Sequence, residues 1–421
     1  MKHAPLLAIL AGASGLCAQS PPAPPDRVTI QQAVQEAIER NLNLLAERYN
    51  LSVADARIIT ARLRPNPVIS IGVDYIDFLH QFSPDKNVGP SEYNFRTDFI
   101  LERGGKRERR VEVAQAQKEV AQLQLLNTTR TLVLDVQNAF VDVLQAKDNV
   151  ALARENLKAF EGIVSVNSDR VRAGDLAKVE LVRTQVAALQ FQSAVRQAES
   201  KLRIASNKLQ SLMGRGIPSP TFDATGELRR DAEPVILENV TTQAIELRPD
   251  LQALRKDQAR SLAELRSQIA QGKVDYTLGS EFHHTFNNGT SSVLGFFFQA
   301  PLPVFNKNQG EIERARREQQ QVLARIRAAE NDVRNDVRNA WVQYETSKTL
   351  LDTIERSLLD QARDVRDTME YSYRRGEASL VEFLDAQRAF NDARQSYNDA
   401  RADFARSLYT IDSTSGKAVQ P

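Results

Sequence analysis

The stretch "APLPVFNKNQGEIERARREQQQ", Ala300–Gln321, passes without pause from an apolar, strand-like run into a long charged helix. Pro301 and Pro303 lie at the junction, and neither donates a backbone hydrogen bond, so strand pairing is expected to end there. Gly310 is expected to supply the permissive backbone at the bend. The run before it, "SVLGFFFQAPL" from Ser292, alternates Leu294, Phe296 and Phe298 with Gly295, Phe297 and Gln299. Aromatics exposed on one side of a turn and a polar rod on the other ask for two different surroundings.

The same junction occurs earlier in the chain, because the chain is duplicated. "AIERNLNLLAE" from Ala37 and "AIELRPDLQAL" from Ala244 each read as a short amphipathic helix. Each leads to an alternating strand, "PVISIGVDYIDF" from Pro67 and "KVDYTLGSEFHH" from Lys273, and then to a second, "SEYNFRTDFILE" from Ser91 and "SVLGFFFQAPL". A glycine turn follows, Gly105 or Gly310, and then a long helix. "RVRAGDLAKVELVRTQ" from Arg170 and "SYRRGEASLVEFLDAQ" from Ser372 each open another. The Gly- and Pro-rich segment from Gly214 to Pro234 joins the halves.

Two periods run through each half. Ile69, Ile71, Val73 and Tyr75 share one strand face, as do Tyr93, Phe95, Thr97, Phe99 and Leu101. Val274, Tyr276, Leu278 and Phe282 do the same, against Asp275, Thr277 and Glu281. Segments of about ten residues with one apolar and one polar face fit a transmembrane β-barrel; a small soluble sheet with one buried face fits the pattern equally. The helices count in threes, fours and sevens: Val113, Val120, Leu123, Leu126, Val133, Val136, Phe140 and Val143 form a coiled-coil seam. A helix from Lys106 to about Gly162 spans roughly 80 Å at about 1.5 Å per residue, and needs partners for its seam.

Composition narrows the function. The net charge of +1 gives no pull toward nucleic acid. The start reads as an export signal, with Lys2, an apolar run from Leu6 to Leu16, and small residues at Ala18 and Ser20. A membrane anchor is the rival reading, and the run is short for it. Lipidation of Cys17 is another, against which stands the bulky Leu16. Cys17 is the only cysteine, so cleavage leaves no disulfide, thiolate ligand or cysteine nucleophile. No nucleophile elbow, phosphate loop or HExxH is present, so no enzymatic activity and no cofactor are expected.

Four motifs, "LRPNP" from Leu63, "ILERGGKRERR" from Ile100, "LRPDLQALR" from Leu247 and "PLPVFNKNQGEI" from Pro301, together with the turns at Gly174 and Gly376, resemble the TolC-like outer-membrane efflux factors. The proline-rich one is similar to the heavy-metal (cobalt-zinc-cadmium) branch. The resemblance implies a mostly α chain with a small β part, whose long helices form a duplicated α-barrel. Each subunit gives four strands to a 12-stranded transmembrane β-barrel in a homotrimer. It implies a passive duct in the outer membrane with a periplasmic extension, exporting metal ions or small toxic compounds. Its partners are itself, a periplasmic adaptor protein, an inner-membrane pump of the resistance-nodulation-division type, and outer-membrane lipid. The expected layout is a signal peptide over 1–20, an N-terminal segment with the first helix over 21–66, and barrel hairpins over 67–102 and 273–303. Long helices occupy 103–213 and 304–410, a connector 214–234, the first helix of the second repeat 235–272, and a flexible tail 411–421. A periplasmic adaptor or structural coiled-coil protein is the rival from another class, but an adaptor sets one helical hairpin inside β-rich domains.

The resemblance also carries sites. The turns Arg170, Arg172, Gly174, Asp175, Glu180 and Arg374, Arg375, Gly376, Glu377, Ser379, Glu382 lie at the expected periplasmic tip, where the adaptor docks. The plainer reading is two well-made turns, with glycine C-caps and a capping box of Ser379 with Glu382. Asp364, Asp367 and Glu370, tripled around a threefold axis, make a candidate pore constriction; otherwise they form a solvated face patched by Arg363, Arg366 and Arg374. His80, His283 and His284 lie near the outer strand ends, lack expected carboxylate company, and are assigned no metal. Tyr75, Tyr93, Phe95, Tyr276, Phe296 and Phe298 are candidates for an interfacial aromatic girdle.

Overall fold

The computed structural model describes residues 26–74, 92–285 and 291–417. The expected signal peptide with Cys17, and Tyr75 and His80, lie outside them.

Each repeat opens on two helices rather than the one expected: α1 (Ile30–Arg40) and α2 (Leu42–Arg62), then α5 (Leu237–Leu247) and α6 (Pro249–Gln271). The breaks follow from local chemistry. Asn41 stays extended and its side chain accepts from the backbone of Asn43 and Leu44. Arg248 precedes Pro249, whose ring disfavours helical backbone before it. A three-residue parallel pair, β1 (Asp26–Val28) with β4 (Phe222–Ala224), ties the start of the described chain to the connector. Strands this short leave no periodic signal.

The strands β2 (Val68–Asp74), β3 (Glu92–Leu101), β5 (Tyr276–Thr285) and β6 (Ser291–Gln299) form one antiparallel sheet in the order β2-β3-β5-β6. The two hairpins, one from each repeat, therefore meet along β3 and β5. Both outer edges, on β2 and β6, have no ladder partner among the described residues. The fifth strand starts three residues later than the alternation suggested, so Val274 and Asp275 belong to the connection; Asp275 accepts from the Arg103 backbone and from Lys106 Nζ at 2.7 Å.

The rods follow. Helix α3 (Lys106–Ala173) runs unbroken for 68 residues, well past Gly162, and is about 100 Å long at about 1.5 Å per residue. It folds back as α4 (Lys178–Leu212). The second repeat has α7 (Gln309–Thr353), one π-helical turn at Ile354–Leu358, α8 (Leu359–Arg375) and the returning α9 (Leu380–Ser415). Helix α9 carries buried Ile411, Ser413 and Ser415, so 411–415 is packed helix rather than the flexible tail expected from 411. At the sheet–helix bend, Gly105 has φ 70° as expected, but Gly310 lies inside the first turn of α7. The left-handed residue there is Asn308, with φ 63°, whose short side chain tolerates that region and donates to the Gln268 carbonyl.

Each repeat has its own core. Val136, Phe140, Leu44, Leu209 and Met213 pack in the first, and Val337, Leu251, Phe404 and Leu408 in the second. Val141 with Ala402, Ala405 and Tyr409 joins α3 to α9.

Candidate functional site: the two-faced sheet and the helical tip

Cross-strand register gathers most of the sheet's large apolar residues on one face. Ile71, Phe95, Phe282 and Leu294 stand in one row across all four strands. Phe99, Leu278 and Phe298 form a second, and Ile69, Thr97, Ser280 and Phe296 a third. These apolar side chains are largely uncovered, Ile71 at 77% and Phe296 at 81%. The opposite face holds Asn94, Arg96, Asp98, Glu281 and His283. Here the Arg96 guanidinium lies 4.0 Å from the Phe297 ring centroid, which seats the one aromatic on the polar face. Gly279 makes room for that ring: a Cβ there meets Phe297 Cζ at 2.1 Å.

His283 has the carboxylate company that sequence reading denied it. Its Nδ1 lies 2.7 Å from Glu92 Oε1, and its Nε2 bonds Glu281. Glu92 and Glu281 sit on different strands, a relation only register reveals. Both ring nitrogens are thus occupied, and no group of three or more metal-ligating side chains suited to an ion occurs among the described residues. Of the girdle candidates, Phe95, Tyr276, Phe296 and Phe298 with Tyr93 share the apolar face; Tyr276 and Phe298 pack edge to face at 5.0 Å.

At the far end of the rods the two turns are built alike. Gly174 (φ 86°) and Gly376 (φ 81°) end α3 and α8, with Asp175 N donating to the Arg170 carbonyl and Glu377 N to the Ser372 carbonyl, both at 2.9 Å. The Ser379–Glu382 capping box is formed, whereas the first turn has uncapped Ala177 in its place. The backbone N–H of Ser379 donates to Glu382 and holds its carboxyl below the usual range. Arg172 pairs with Asp169, Glu180 with Arg183 at 2.9 Å, and Arg374 with Glu370; Arg375 lies over the Tyr371 ring. The turns adjoin, since a Cβ on Gly376 meets Arg170 Nη2 at 3.5 Å.

Behind them, Phe160, Ile163, Ala187, Tyr373, Leu380 and Phe383 form a buried cluster joining the two helical hairpins. Within it sits Asn167, fully buried, donating to Tyr373 Oη at 2.7 Å and Thr184 Oγ1 at 2.9 Å, while its own carbonyl oxygen has no partner. This node was missed in the sequence, although Phe160, Ile163 and Asn167 follow seam spacing and a polar residue at a seam position is a signal. The acidic trio resolves unequally. Asp367 is neutralised by Arg366 and Glu370 by Arg374, while Arg363 turns to Asp360. Asp364 alone of the three is exposed without an ion pair among the described residues.

Comparison with known proteins matches this architecture. The profile of the family described as "Outer membrane efflux protein" matches residues 33–215 and 240–417, one stretch per repeat. The cobalt-zinc-cadmium resistance protein CzcC of Cupriavidus metallidurans is 25% identical, over 93% of this chain and 90% of that one. The open-state MtrE outer membrane channel of Neisseria gonorrhoeae has a TM-score of 0.75 at 19% identity, covering 93% of this chain and 89% of that one. CusC, whose crystal structures address conformational changes accompanying folding and transmembrane channel formation, has a TM-score of 0.75 at 16% identity, covering 92% of each.

Proposed function

Because this chain belongs to the outer membrane efflux protein family, we propose that three copies close one transmembrane duct and hand cargo from the cell envelope to the outside. It is an outer-membrane efflux channel with a periplasmic extension.

The observation that carries it is the sheet with one uncovered apolar face and two unpaired edges. In hydrocarbon every backbone N–H and C=O needs a partner, so β2 of one copy must pair with β6 of the next. Such head-to-tail contacts close into a ring. Three sets of four strands give twelve, with the polar face of Arg96, Glu281 and His283 lining a bore. The rods then extend into the periplasm, and their seams find partners in neighbouring copies.

At the tip, the paired turns with Arg170, Arg172, Arg374 and Arg375 form the docking surface for an adaptor. The Asn167–Tyr373 hydrogen bond holds the two hairpins of one subunit together, so opening the tip stretches or breaks it. Asp364, with no countercharge, is the member of the acidic trio best suited to face cations in the closed bore. The duct is passive, served by an inner-membrane pump of the resistance-nodulation-division type. The likeness to a cobalt-zinc-cadmium resistance protein supports metal ions as cargo.

Detergent-extracted protein is expected to sediment as a trimer and to conduct ions in planar bilayers. Release from membranes by carbonate without detergent, or a monomeric mass, overturns the reading.

A further inference from the structure

The two sheet-to-helix connections differ. Four residues, 102–105, separate β3 from α3, whereas nine, 300–308, separate β6 from α7. The longer one carries Leu302, Val304 and Phe305, all exposed; Phe305, at 91%, is the most exposed large apolar side chain among the described residues, and Leu302 stands at 84%. Local hydrogen bonds build this projection. Val304 N donates to the Leu302 carbonyl at 2.9 Å, Gln309 Nε2 to the Phe305 carbonyl at 3.0 Å, and Asn308 Nδ2 pins the loop's end to Gln268. The backbone is thus folded on itself while the apolar side chains point away from the subunit. Pro301 and Pro303 stiffen it and withhold two donors that would otherwise need partners.

We propose that Leu302–Phe305 is an interfacial anchor, inserted at the headgroup–acyl boundary of the phospholipid leaflet that faces the periplasm. This deepens the channel reading and rests on it. The loop is continuous with the apolar face of the sheet. The loop starts one residue after β6, whose Leu294, Phe296 and Phe298 belong to the uncovered apolar face, and it ends where α7 enters water. A short apolar finger at that level, followed by Lys307, has the composition of a membrane-interface segment. The first repeat presents charge at the matching place, Glu102 and Arg103, so each subunit carries one anchor.

Single tryptophans test this in full-length trimers reconstituted into phosphatidylglycerol–phosphatidylethanolamine vesicles, with the signal of native Trp341 subtracted. Phe305→Trp reports the loop and Phe296→Trp reports the sheet. Phospholipids brominated near the headgroup end of the chain should quench Phe305→Trp more than those brominated near the chain terminus. Quenching of Phe296→Trp but not of Phe305→Trp overturns the anchor and leaves the barrel standing. In that case iodide quenching places the loop in water, and protection from iodide places it against a neighbouring copy. Quenching of neither overturns the barrel reading, and the anchor with it.

Discussion

At the residue scale, two glycines of opposite kind make a paired prediction. Gly214 has φ +81°, and a Cβ there lies 2.4 Å from the Arg40 carbonyl oxygen. Gly214→Ala therefore meets both a disfavoured backbone and a clash, and should cost about 2 kcal/mol or more, read as a lower thermal midpoint in detergent. Gly162 lies inside α3 with open space around its Cβ position, so Gly162→Ala should raise the midpoint by about 0.5–1 kcal/mol worth of stability. The Asn167 node gives another. Tyr373→Phe removes one acceptor from a buried donor that keeps Thr184, a loss of about 1 kcal/mol. If that bond is present only in the closed tip, the open population rises roughly fivefold, visible as increased bilayer conductance. Unchanged conductance separates the node from gating. The glycine turns at 174 and 376 were legible because only a residue free to adopt positive φ ends helices in that way. Asn308 was not, because asparagine reaches the same conformation without announcing it, and the conspicuous Gly310 stood two residues away.

Elements were legible in proportion to their length and regularity. The alternation grouped Ile69, Ile71, Phe95, Phe99, Leu278 and Phe282 on one face as the register has them, since a slip of one residue would have turned Phe95 and Phe282 to opposite faces. The π turn at Ile354–Leu358 left no such mark, because a single extra residue hardly alters a seam counted in threes and fours. Between elements, ion pairs supply a pH-dependent term. Arg260 donates to Glu318 across α6 and α7 at 2.8 Å, and that hydrogen bond holds the Glu318 carboxyl below its ordinary value. A depressed carboxylate stabilises the fold above the unfolded value, about pH 4.3, and loses this as pH falls through the folded value. Glu318→Gln should flatten the decline of the thermal midpoint below about pH 4.3 relative to the parent. An identical decline in both proteins removes this pair from the account.

For the whole molecule, the duplication was the most readable feature, and the assembly the least, because edges and seams name what they lack without naming a partner. Arg374 and Arg375 are exposed at the second turn, and neither is buried in the subunit's core. Reversing both to Glu should abolish export from cells while leaving trimers intact on native gels, since exposed rim charges set specificity of encounter more than folding. Normal export by that variant rejects docking through these residues.

The parallel pair of Asp26–Val28 with Phe222–Ala224 has a kinetic consequence. Its first member leaves the export machinery almost two hundred residues ahead of its mate, and a lone three-residue strand cannot hold itself. Until the second member arrives, Asp26–Val28 has no ladder partner and only the packing of the following helix on Lys106–Ala173 to hold it in place. Synthesis of the connector is therefore also the moment at which that strand gains its backbone partner.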